Sequence, residues 1–499
     1  MNKKDVLEDV SFGERVAEDE RKRLVDYFVR TREAQSVIDG LVDIVYGPKG
    51  AGKSALYGHL VQDGAAFEQR GILVIPCEQP LGETVFRDLV NQLPQPSEQD
   101  LRYLWPLYFA QLIAHEFRKH SYSDSDARYV TRNLEDAKLL PREFSLRGLL
   151  RTAFTYVKYV VTPESVEGGI EVDPYTGLPR GATVKITFED SEAERSTPQV
   201  SVRSLLARAE RALAAHRSTA WLLLDRLDVS FLDDPALEEV ALRALFRVYL
   251  DLKQHDHIRL KIFLRSDIWE RITRTKGFPE GSHITRQITI KWQRSYLVNL
   301  LCRRLVTSDR VCRLYQTTRS QVQASITKQE QLLTQIIEHP PGLPADADIV
   351  DWLLLGIRDG TKQAAPRELI HLMNEARMNQ LALWNLEEGT DDSSHLISHR
   401  ALLEAHREVS RTRLEQTLYT EYRHVKSLVT PLHGENPQQS LPSLQRLWDK
   451  PIEETQDSAT LLCDLGFFEP IGKPASPSYQ VPILYRSALE MPTTGSWSA

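Results

Sequence analysis

The sequence predicts an α/β protein whose core is a parallel sheet with helices on both faces. A short β-branched run, a Gly/Pro loop and a helical pattern occupy 41–60, and a second apolar run follows at 71–78. Two more apolar runs, at 221–228 and 259–267, alternate with further helical patterns. Because parallel neighbours must be joined by a crossover, usually a helix, this alternation is typical of consecutive βαβ units.

The length and charge of the chain exclude some classes of protein. Its 499 residues are too many for one core, and roughly 100–200 residues per domain predict two to four units. The hydrophobic fraction of 41% and the charged fraction of 26% are those of an ordinary globular protein. A formal net charge of −7 gives no overall attraction to nucleic acid or to an anionic membrane. DNA is therefore a partner only through a local basic patch, and no membrane partner is expected.

The cysteines and the N-terminus indicate a cytoplasmic protein. The four cysteines are far apart in the sequence and no two form a CxxC pair, which disfavours a disulfide scaffold or a zinc site. The first twenty residues are charged throughout and lack the apolar core of a signal peptide. No stretch approaches the roughly 20 apolar residues that span a bilayer.

A glycine-rich loop at 47–54, Gly-Pro-Lys-Gly-Ala-Gly-Lys-Ser, fits the phosphate-binding pattern GxxxxGK[ST]. Glycines let backbone N–H groups curl around a β-phosphate, and the helix that follows adds the positive end of its dipole. The lysine reaches the β- and γ-phosphates, and the serine hydroxyl is a ligand for Mg²⁺. In a chain of this length the pattern arises by chance with a probability of about one or two per cent. ATP and Mg²⁺ are therefore the expected cofactors, and the predicted nucleotide-binding residues are Gly47, Pro48, Lys49, Gly50, Ala51, Gly52, Lys53, Ser54 and Ala55.

The metal also needs an acid at the end of a neighbouring strand, where a carboxylate holds its water shell. The run Leu222-Leu223-Leu224-Asp225 fits this Walker B position best. A buried strand that happens to end in a surface aspartate is the alternative interpretation, and the phosphate loop upstream favours the metal site. We therefore predict Ser54 and Asp225 as the magnesium residues.

These residues, taken with several other segments, resemble bacterial P-loop ATPases of the STAND and origin-recognition-like branch of the AAA+ superfamily. The likeness is greatest to prokaryotic ATPases associated with antiphage defence loci. It spans most of the chain, and only the phosphate loop is specific by itself. The resemblance implies a P-loop core followed by a helical lid and a winged-helix-like C-terminal domain. The matching segments are Phe12-Gly13…Ala17-Glu18…Glu20, the loop 47–54, LLLDRLD at 222–228, FLRSDIWERI at 263–272, AAPRELIHLMNEAR at 364–377, and GFFEP…YQVPILYRSAL within 466–489.

The resemblance also implies roles for two arginines. Arg265, at the end of the strand after Asp225, takes the sensor-1 position and would contact the γ-phosphate. Arg367, at the start of a helix in the predicted lid, takes a sensor-2-like position. The planar guanidinium suits both positions because it can donate to two phosphate oxygens at once. Arg271 and Arg274 are candidates for arginine fingers acting in trans, although a solvated surface arginine is the more common case.

The expected catalytic base is missing from its usual place. Many relatives carry an acid directly after the Walker B aspartate, and here that residue is Arg226, which cannot accept a proton. Two acids can replace it: Asp228, at the exit of the same strand, and Glu78, at the end of the strand after the loop helix. We favour Asp228, because acids spaced DxxD at a strand end are the arrangement of the resembled family. If neither orients a water, the chain is a slow ATPase or a nucleotide-bound switch.

Changes of pattern along the chain predict its domain boundaries. A helical lead-in at 1–40 precedes the P-loop core at 41–290, which carries an insertion with a β-hairpin at about 121–198. A helical lid is predicted at 291–395 and a winged-helix-like domain at 396–499.

Two classes of function fit these features. In the first, the chain is a regulatory or motor ATPase of an antiphage-defence-type system, and its effector is a separately encoded protein. This interpretation rests on the lack of a second catalytic motif in the sequence, and the insertion is then the predicted docking surface. In the second, the chain is an origin-recognition-like loader or translocation ATPase that binds DNA through basic residues of the C-terminal domain. Assembly into a homo-oligomer is compatible with both. The basic residues are His399, Arg400, His406, Arg407, Arg411, Arg413, Arg423, His424 and Lys426.

Overall fold

The computed structural model contains two compact units. One consists of Arg32–Lys49 and Lys53–Ile290 and is called the sheet unit below. The other consists of Met1–Thr31, Gly50–Gly52 and Lys291–Ala499 and is called the helical unit. The structure describes residues 2–14, 20, 26–78, 96–161, 182–188, 198–227, 235–275, 278–344, 347–386, 395–473, 476–492 and 497.

The sheet unit is built on a five-stranded parallel sheet, which confirms the predicted α/β fold. Its strands and a further short pair are β1 (Ile44–Gly47), β2 (Ile72–Pro76), β3 (Lys185–Thr187), β4 (Gln199–Ser201), β5 (Thr219–Leu224), β6 (Ile258–Arg265) and β7 (Gln287–Thr289). The order across the main sheet is β2-β5-β6-β1-β7, and every neighbouring pair is parallel. The strand that leads into the phosphate loop, β1, therefore lies next to the strand that ends in Arg265.

Helices cover this sheet on both faces. All residues of β1 and all but the first residue of β5 are buried. Because alternate side chains of a strand point to opposite faces, an unbroken buried run means that both faces are covered. The chain begins with α1 (Lys3–Asp9), which belongs to the helical unit. The helices of the sheet unit are α2 (Arg32–Ile38), α3 (Lys53–Gln62), α4 (Gly64–Glu68), α5 (Glu98–Lys119), α6 (Ser125–Asp136), α7 (Leu146–Val161), α8 (Val202–Ala215), α9 (Pro235–Leu252), α10 (Ser266–Thr275) and the 3-10 helix Pro279–His283.

The predicted β-hairpin of the insertion is wrong in the described residues. The region contains the helices α6 and α7, and its two short strands, β3 and β4, pair in parallel. Helix α7 buries Leu149, Leu150, Ala153 and Phe154, which recur at the spacing of one helical face. This periodicity outweighs the strand propensity of the β-branched and aromatic residues at the end of the helix. Residues 162–181 and 189–197 of the insertion lie outside the described residues.

The helical unit has the predicted run of helices with an interruption near 339–344. Its helices up to Asn385 are α11 (Arg294–Leu305), α12 (Asp309–Leu314), α13 (Arg319–Gln323), α14 (Ile326–Ile336), α15 (Ile349–Ile357) and α16 (Pro366–Asn385). Side chains of Ser308, Thr318, Ser325 and Asp348 accept backbone N–H groups at four of the helix starts. These caps satisfy N–H groups that have no partner inside a helix, and so they set where each short helix begins.

The C-terminal part of the helical unit ends in a small antiparallel sheet. Its elements are α17 (His399–Thr412), a π-helical turn (Arg413–Leu418), α18 (Tyr419–Glu421), the 3-10 turn Arg423–Val425, α19 (Lys426–Val429), the 3-10 turn Thr430–Leu432, β8 (Gln438–Ser440), α20 (Leu441–Trp448), α21 (Ile452–Asp464), β9 (Glu469–Lys473), β10 (Ser476–Gln480), α22 (Ile483–Arg486) and the 3-10 turn Ser487–Leu489. The strand order is β8-β10-β9, and both pairs are antiparallel. The two strands predicted around the Gly/Pro/Ser turn are β9 and β10.

The N-terminal motif anchors the start of the chain within the helical unit. The buried Arg304 donates to the carbonyl of Phe12 at 2.6 Å and to the carboxylate of Glu20 at 3.0 Å. Gly13 has φ +84°, and a Cβ atom there would overlap the Glu20 carboxylate. The described residues of the motif thus have a structural role, while Ala17 and Glu18 lie outside the described residues.

In the described parts of the chain, no helix is both long enough and apolar enough to cross a membrane.

Candidate functional site

The loop at 47–54 connects the end of β1 to the start of α3. Gly50 and Gly52 have φ values of +80° and +89°, in the left-handed region that only glycine enters without strain. The Nζ atom of Lys53 donates to the carbonyl of Gly47 at 2.8 Å and to that of Pro48 at 3.0 Å. The ammonium group therefore lies against the carbonyls at the beginning of its own loop. This is the strand–loop–helix context that the sequence motif requires.

Three predicted residues lie at the carboxyl edge of the same sheet. Gly47 is the register partner of Arg265, so the loop begins directly beside this arginine. Asp225 follows the last residue of β5, and its side chain is buried. The carboxyl edge is where open α/β sheets bind ligands, because the loops that follow the strands converge there.

Glu78 lies just beyond the end of β2, the strand that pairs with β5. In the pairing of β2 with β5, Pro76 is opposite Leu223, and the N–H of Cys77 donates to the Leu223 carbonyl at 2.9 Å. Continuing this register places Glu78, two residues after β2, opposite Asp225, one residue after β5. Glu78 is 1% exposed, and its backbone carbonyl accepts a 2.8 Å hydrogen bond from the Tyr57 hydroxyl of α3. The helix after the phosphate loop is thus hydrogen-bonded to the backbone of Glu78.

Arg265 is held by an acid near the start of α10. Its Nε and Nη2 atoms donate to the two carboxylate oxygens of Asp267 at 3.1 Å and 2.8 Å. A two-point contact of this kind fixes the orientation of the guanidinium plane. Arg271, considered as an arginine finger, is in an ion pair with Glu238 of α9. The side chain of Arg274 lies outside the described residues.

The residue after Asp225 has an uncommon backbone conformation. Arg226 has φ +58°, a left-handed value that is costly for a residue with a Cβ atom. Strained residues of this kind cluster at functional sites, where the surrounding structure holds them. Asp228, the catalytic base favoured from the sequence, lies outside the described residues.

The tip of the loop, Gly50–Gly52, belongs to the helical unit together with Arg367. A Cβ atom built on Gly50 would be 3.0 Å from the Cβ atom of Arg367, so the start of α16 lies against the tip. The indole N–H of Trp292 donates to the Ala51 carbonyl at 2.8 Å. Sequence reasoning did not find Trp292, because no local motif marks it.

Other residues of the loop and of the predicted metal site lie at the start of α3. Ser54 and Ala55 are in the first turn of this helix, directly after Lys53. Within the described residues, no group of three or more His, Cys, Asp and Glu side chains is arranged to hold a metal ion. Ser54 and Asp225 offer a hydroxyl and a carboxylate, which are the oxygen ligands that Mg²⁺ prefers.

Three arginines of the predicted basic run are paired with acids. Arg407 contacts Glu404 at 2.7 Å, and Arg411 contacts Glu408 at 2.8 Å, each one turn back on α17. Arg413 is turned inward and contacts Glu368 of α16 at 3.1 Å. The predicted basic face is therefore interrupted by negative charge.

Helix α21, which immediately precedes the β9–β10 hairpin, is acidic on its surface. It has no lysine or arginine. Its exposed acids are Glu453, Glu454, Asp457 and Asp464.

No family model matches the sequence, and no curated protein matches it. Solved structures that resemble the chain include the Aeropyrum pernix ORC1 protein in complex with DNA, with a TM-score of 0.34, 13% identity, and coverage of 94% of this chain and 92% of that one. Another is the Walker-type ATPase PABY2304 of Pyrococcus abyssi, with a TM-score of 0.39, 11% identity, and coverage of 93% and 96%. A third is Cdc6p from Pyrobaculum aerophilum, with a TM-score of 0.31, 9% identity, and coverage of 93% and 94%. At such low TM-scores the likeness assigns no ligand, activity or partner to this chain.

Proposed function

We propose that the chain binds ATP at the loop 47–54 and hydrolyses it in the presence of Mg²⁺. The observation that carries the proposal is the loop itself, with two left-handed glycines and Lys53 turned back onto its first carbonyls. Backbone N–H groups and an ammonium group gathered at a helix start form a site for the phosphates of a nucleotide. The buried acids Asp225 and Glu78 at the same sheet edge support hydrolysis in addition to binding.

The magnesium ion would be held by Ser54 and Asp225. Mg²⁺ keeps several waters and is usually bound through one or two protein oxygens together with substrate phosphates. The hydroxyl of Ser54 and the carboxylate of Asp225 fit that requirement, since Mg²⁺ bound in this way does not need a complete set of protein ligands. When bound, the ion would neutralise charge on the β- and γ-phosphates.

Glu78 is the proposed acceptor for the proton of the attacking water. A general base must lie within about 3 Å of its water or reach it through one more water. Glu78 is buried just beyond the end of β2, the strand next to β5, and its backbone carbonyl accepts a hydrogen bond from Tyr57 of the loop helix. Asp228 is the alternative base. Arg265, beside Gly47, and Arg367, beside Gly50, are the proposed contacts of the γ-phosphate.

The finer proposal is that the chain is the regulatory or motor ATPase of a defence-type system with an effector on another chain. Its support is the family resemblance of the sequence and the contact of Arg367 and Trp292 with the loop tip. Through such contacts a nucleotide on the loop would change the conformation of the lid helices. Mass spectrometry of proteins that co-purify with the native chain tests this role, and a chain that purifies alone with and without ATP contradicts it.

Replacing Asp225 by asparagine tests the magnesium site. The change keeps the shape of the side chain and removes the charge that holds the metal's water shell. We expect Mg²⁺-dependent ATP hydrolysis to fall by about 10–100-fold, the usual effect of losing such a supporting ligand. The measurement is phosphate release at several Mg²⁺ concentrations, with calorimetric ATP binding in parallel. Asp256→Asn, at an exposed position of the same unit, is the control. An unchanged rate in Asp225→Asn contradicts the assignment of this metal residue.

DNA binding is the second candidate function, and the surface charges do not favour it. The acids of α21 would repel phosphates, and Arg407 and Arg411 of α17 are already paired with glutamates. We expect weak binding of duplex DNA in a filter assay. A protein that makes 6–10 phosphate contacts loses about 10³–10⁵ in affinity between about 50 mM and 200 mM salt. Tight binding at low salt with a fall of that size contradicts our expectation and favours the loader function.

A further inference from the structure

Trp292 lies against the tip of the phosphate loop and makes two contacts with it. Its indole N–H donates to the carbonyl of Ala51 at 2.8 Å. A Cβ atom built on Gly52 would be 3.7 Å from the ring atom Cζ2, an ordinary van der Waals separation. The ring therefore packs beside Gly52 while its N–H fixes the preceding carbonyl. Both contacts are within the helical unit.

The hydrogen bond to the Ala51 carbonyl also fixes the direction of the next N–H group, that of Gly52. There are no cis peptide bonds in the described residues, so the bond between Ala51 and Gly52 is trans. In a trans peptide the C=O and the following N–H point in opposite directions. A donor that holds the Ala51 carbonyl therefore sets the direction of the Gly52 N–H. That direction is away from Trp292.

A glycine at this position increases the value of such a support. Gly52 has φ +89°, and glycine is the residue that loses the most conformational freedom when it is fixed. A glycine-rich loop without external contacts would sample several peptide orientations, and only some of them present N–H groups to a phosphate. Holding the peptide in advance lowers the entropy cost of binding.

We propose that Trp292 is a positioning residue of the nucleotide site, which holds the Ala51–Gly52 peptide so that the Gly52 N–H is presented to the β-phosphate. This inference rests on the proposed function of the loop. Trp292 lies two residues before the first helix of the predicted lid, α11, so the same bond links the loop to the start of that segment. A movement of this segment that withdrew the indole would free the peptide and weaken phosphate binding. The lid would then control affinity as well as respond to nucleotide.

The test is Trp292→Phe, which keeps an aromatic ring and removes the N–H. Trp448→Phe is the matched control, since the indole of Trp448 donates to the Leu428 carbonyl at 2.7 Å, in the C-terminal part of the same unit. The two variants lose the same type of hydrogen bond, and only one of them is at the loop. Calorimetry measures the affinity for ATP, for ADP and for inorganic tripolyphosphate, and thermal unfolding measures stability.

We expect Trp292→Phe to bind ATP, ADP and tripolyphosphate about three- to tenfold more weakly, the effect of one hydrogen bond. Trp448→Phe should bind all three as the wild type does. A general loss of stability would affect both variants, whereas the positioning role predicts a change in Trp292→Phe alone. Unchanged affinity in Trp292→Phe, measured beside a Lys53→Ala variant that fails to bind, overturns this proposal and leaves the proposed function intact. A wild-type chain that binds none of the three ligands overturns both.

Discussion

Replacing Lys53 by alanine is expected to abolish measurable ATP binding. In the proposed nucleotide site, the ammonium group of this lysine would supply a full positive charge to the β- and γ-phosphates. Hydrogen bonds to charged groups are each worth about 1.5–3 kcal/mol, and Lys53 has more than one donor to offer. We therefore expect the dissociation constant for ATP to rise by at least about 100-fold. Fluorescence titration with a labelled ATP analogue measures the change directly.

The control for this substitution is Lys49→Ala, which removes a lysine from the same loop at a position the motif leaves variable. It should weaken ATP binding far less than Lys53→Ala, because the motif places only Lys53 at the phosphates. Equal losses in the two variants would mean that overall loop charge, rather than the position of Lys53, provides the affinity. ATP binding retained in Lys53→Ala would remove the basis for assigning this loop as the nucleotide site.

The sheet and its ligand-binding edge could be predicted because their signals are local in the sequence. The GxxxxGK[ST] pattern specifies a turn, a lysine and a helix start within eight residues, and the structure has Gly47 at the end of β1 and Lys53 at the start of α3. The apolar runs predict buried parallel strands, and β5 ends directly before Asp225. The pairing of Gly47 with Arg265 could not be predicted in this way, because it depends on the strand order, which no local pattern contains.

The residues that sequence reasoning missed or misjudged act over long separations or through neighbours. Trp292 contacts Ala51 across 241 positions, and a lone tryptophan after a strand has no motif to mark it. In the insertion, the run of tyrosines and valines at the end of α7 has high strand propensity, which hid the helical spacing that precedes it. The basic run of α17 did contain a signal, because Glu404 and Glu408 each lie three residues before an arginine. Pairs at this spacing are neighbours on a helix and neutralise each other.

The second large expected effect concerns catalysis. Arg226, which follows Asp225, cannot accept a proton, so another acid must be the base. We expect Glu78→Gln to lower the rate of ATP hydrolysis by about 10²–10⁴, the usual effect of losing a general base. Glutamine has nearly the same shape as glutamate, so the buried position beside the end of β5 should keep its packing. The change removes the group that accepts the proton while leaving Lys53 and the loop untouched. ATP affinity should therefore be preserved.

Asp228→Asn is the comparison that decides which acid is the base. If Glu78 accepts the proton, Asp228→Asn should have the smaller effect on the rate, with ATP binding intact in both variants. The reverse order would place the base three residues after Asp225, as the DxxD spacing of the resembled family implies. Single-turnover hydrolysis with the chain in excess over ATP separates the chemical step from product release, so a change in release cannot imitate the loss of a base. If the wild type binds ATP but neither substitution changes a very slow hydrolysis, Glu78 is not a base. The chain would then act as a binding switch, whose output depends on nucleotide occupancy and on contacts such as that of Trp292 with the loop tip.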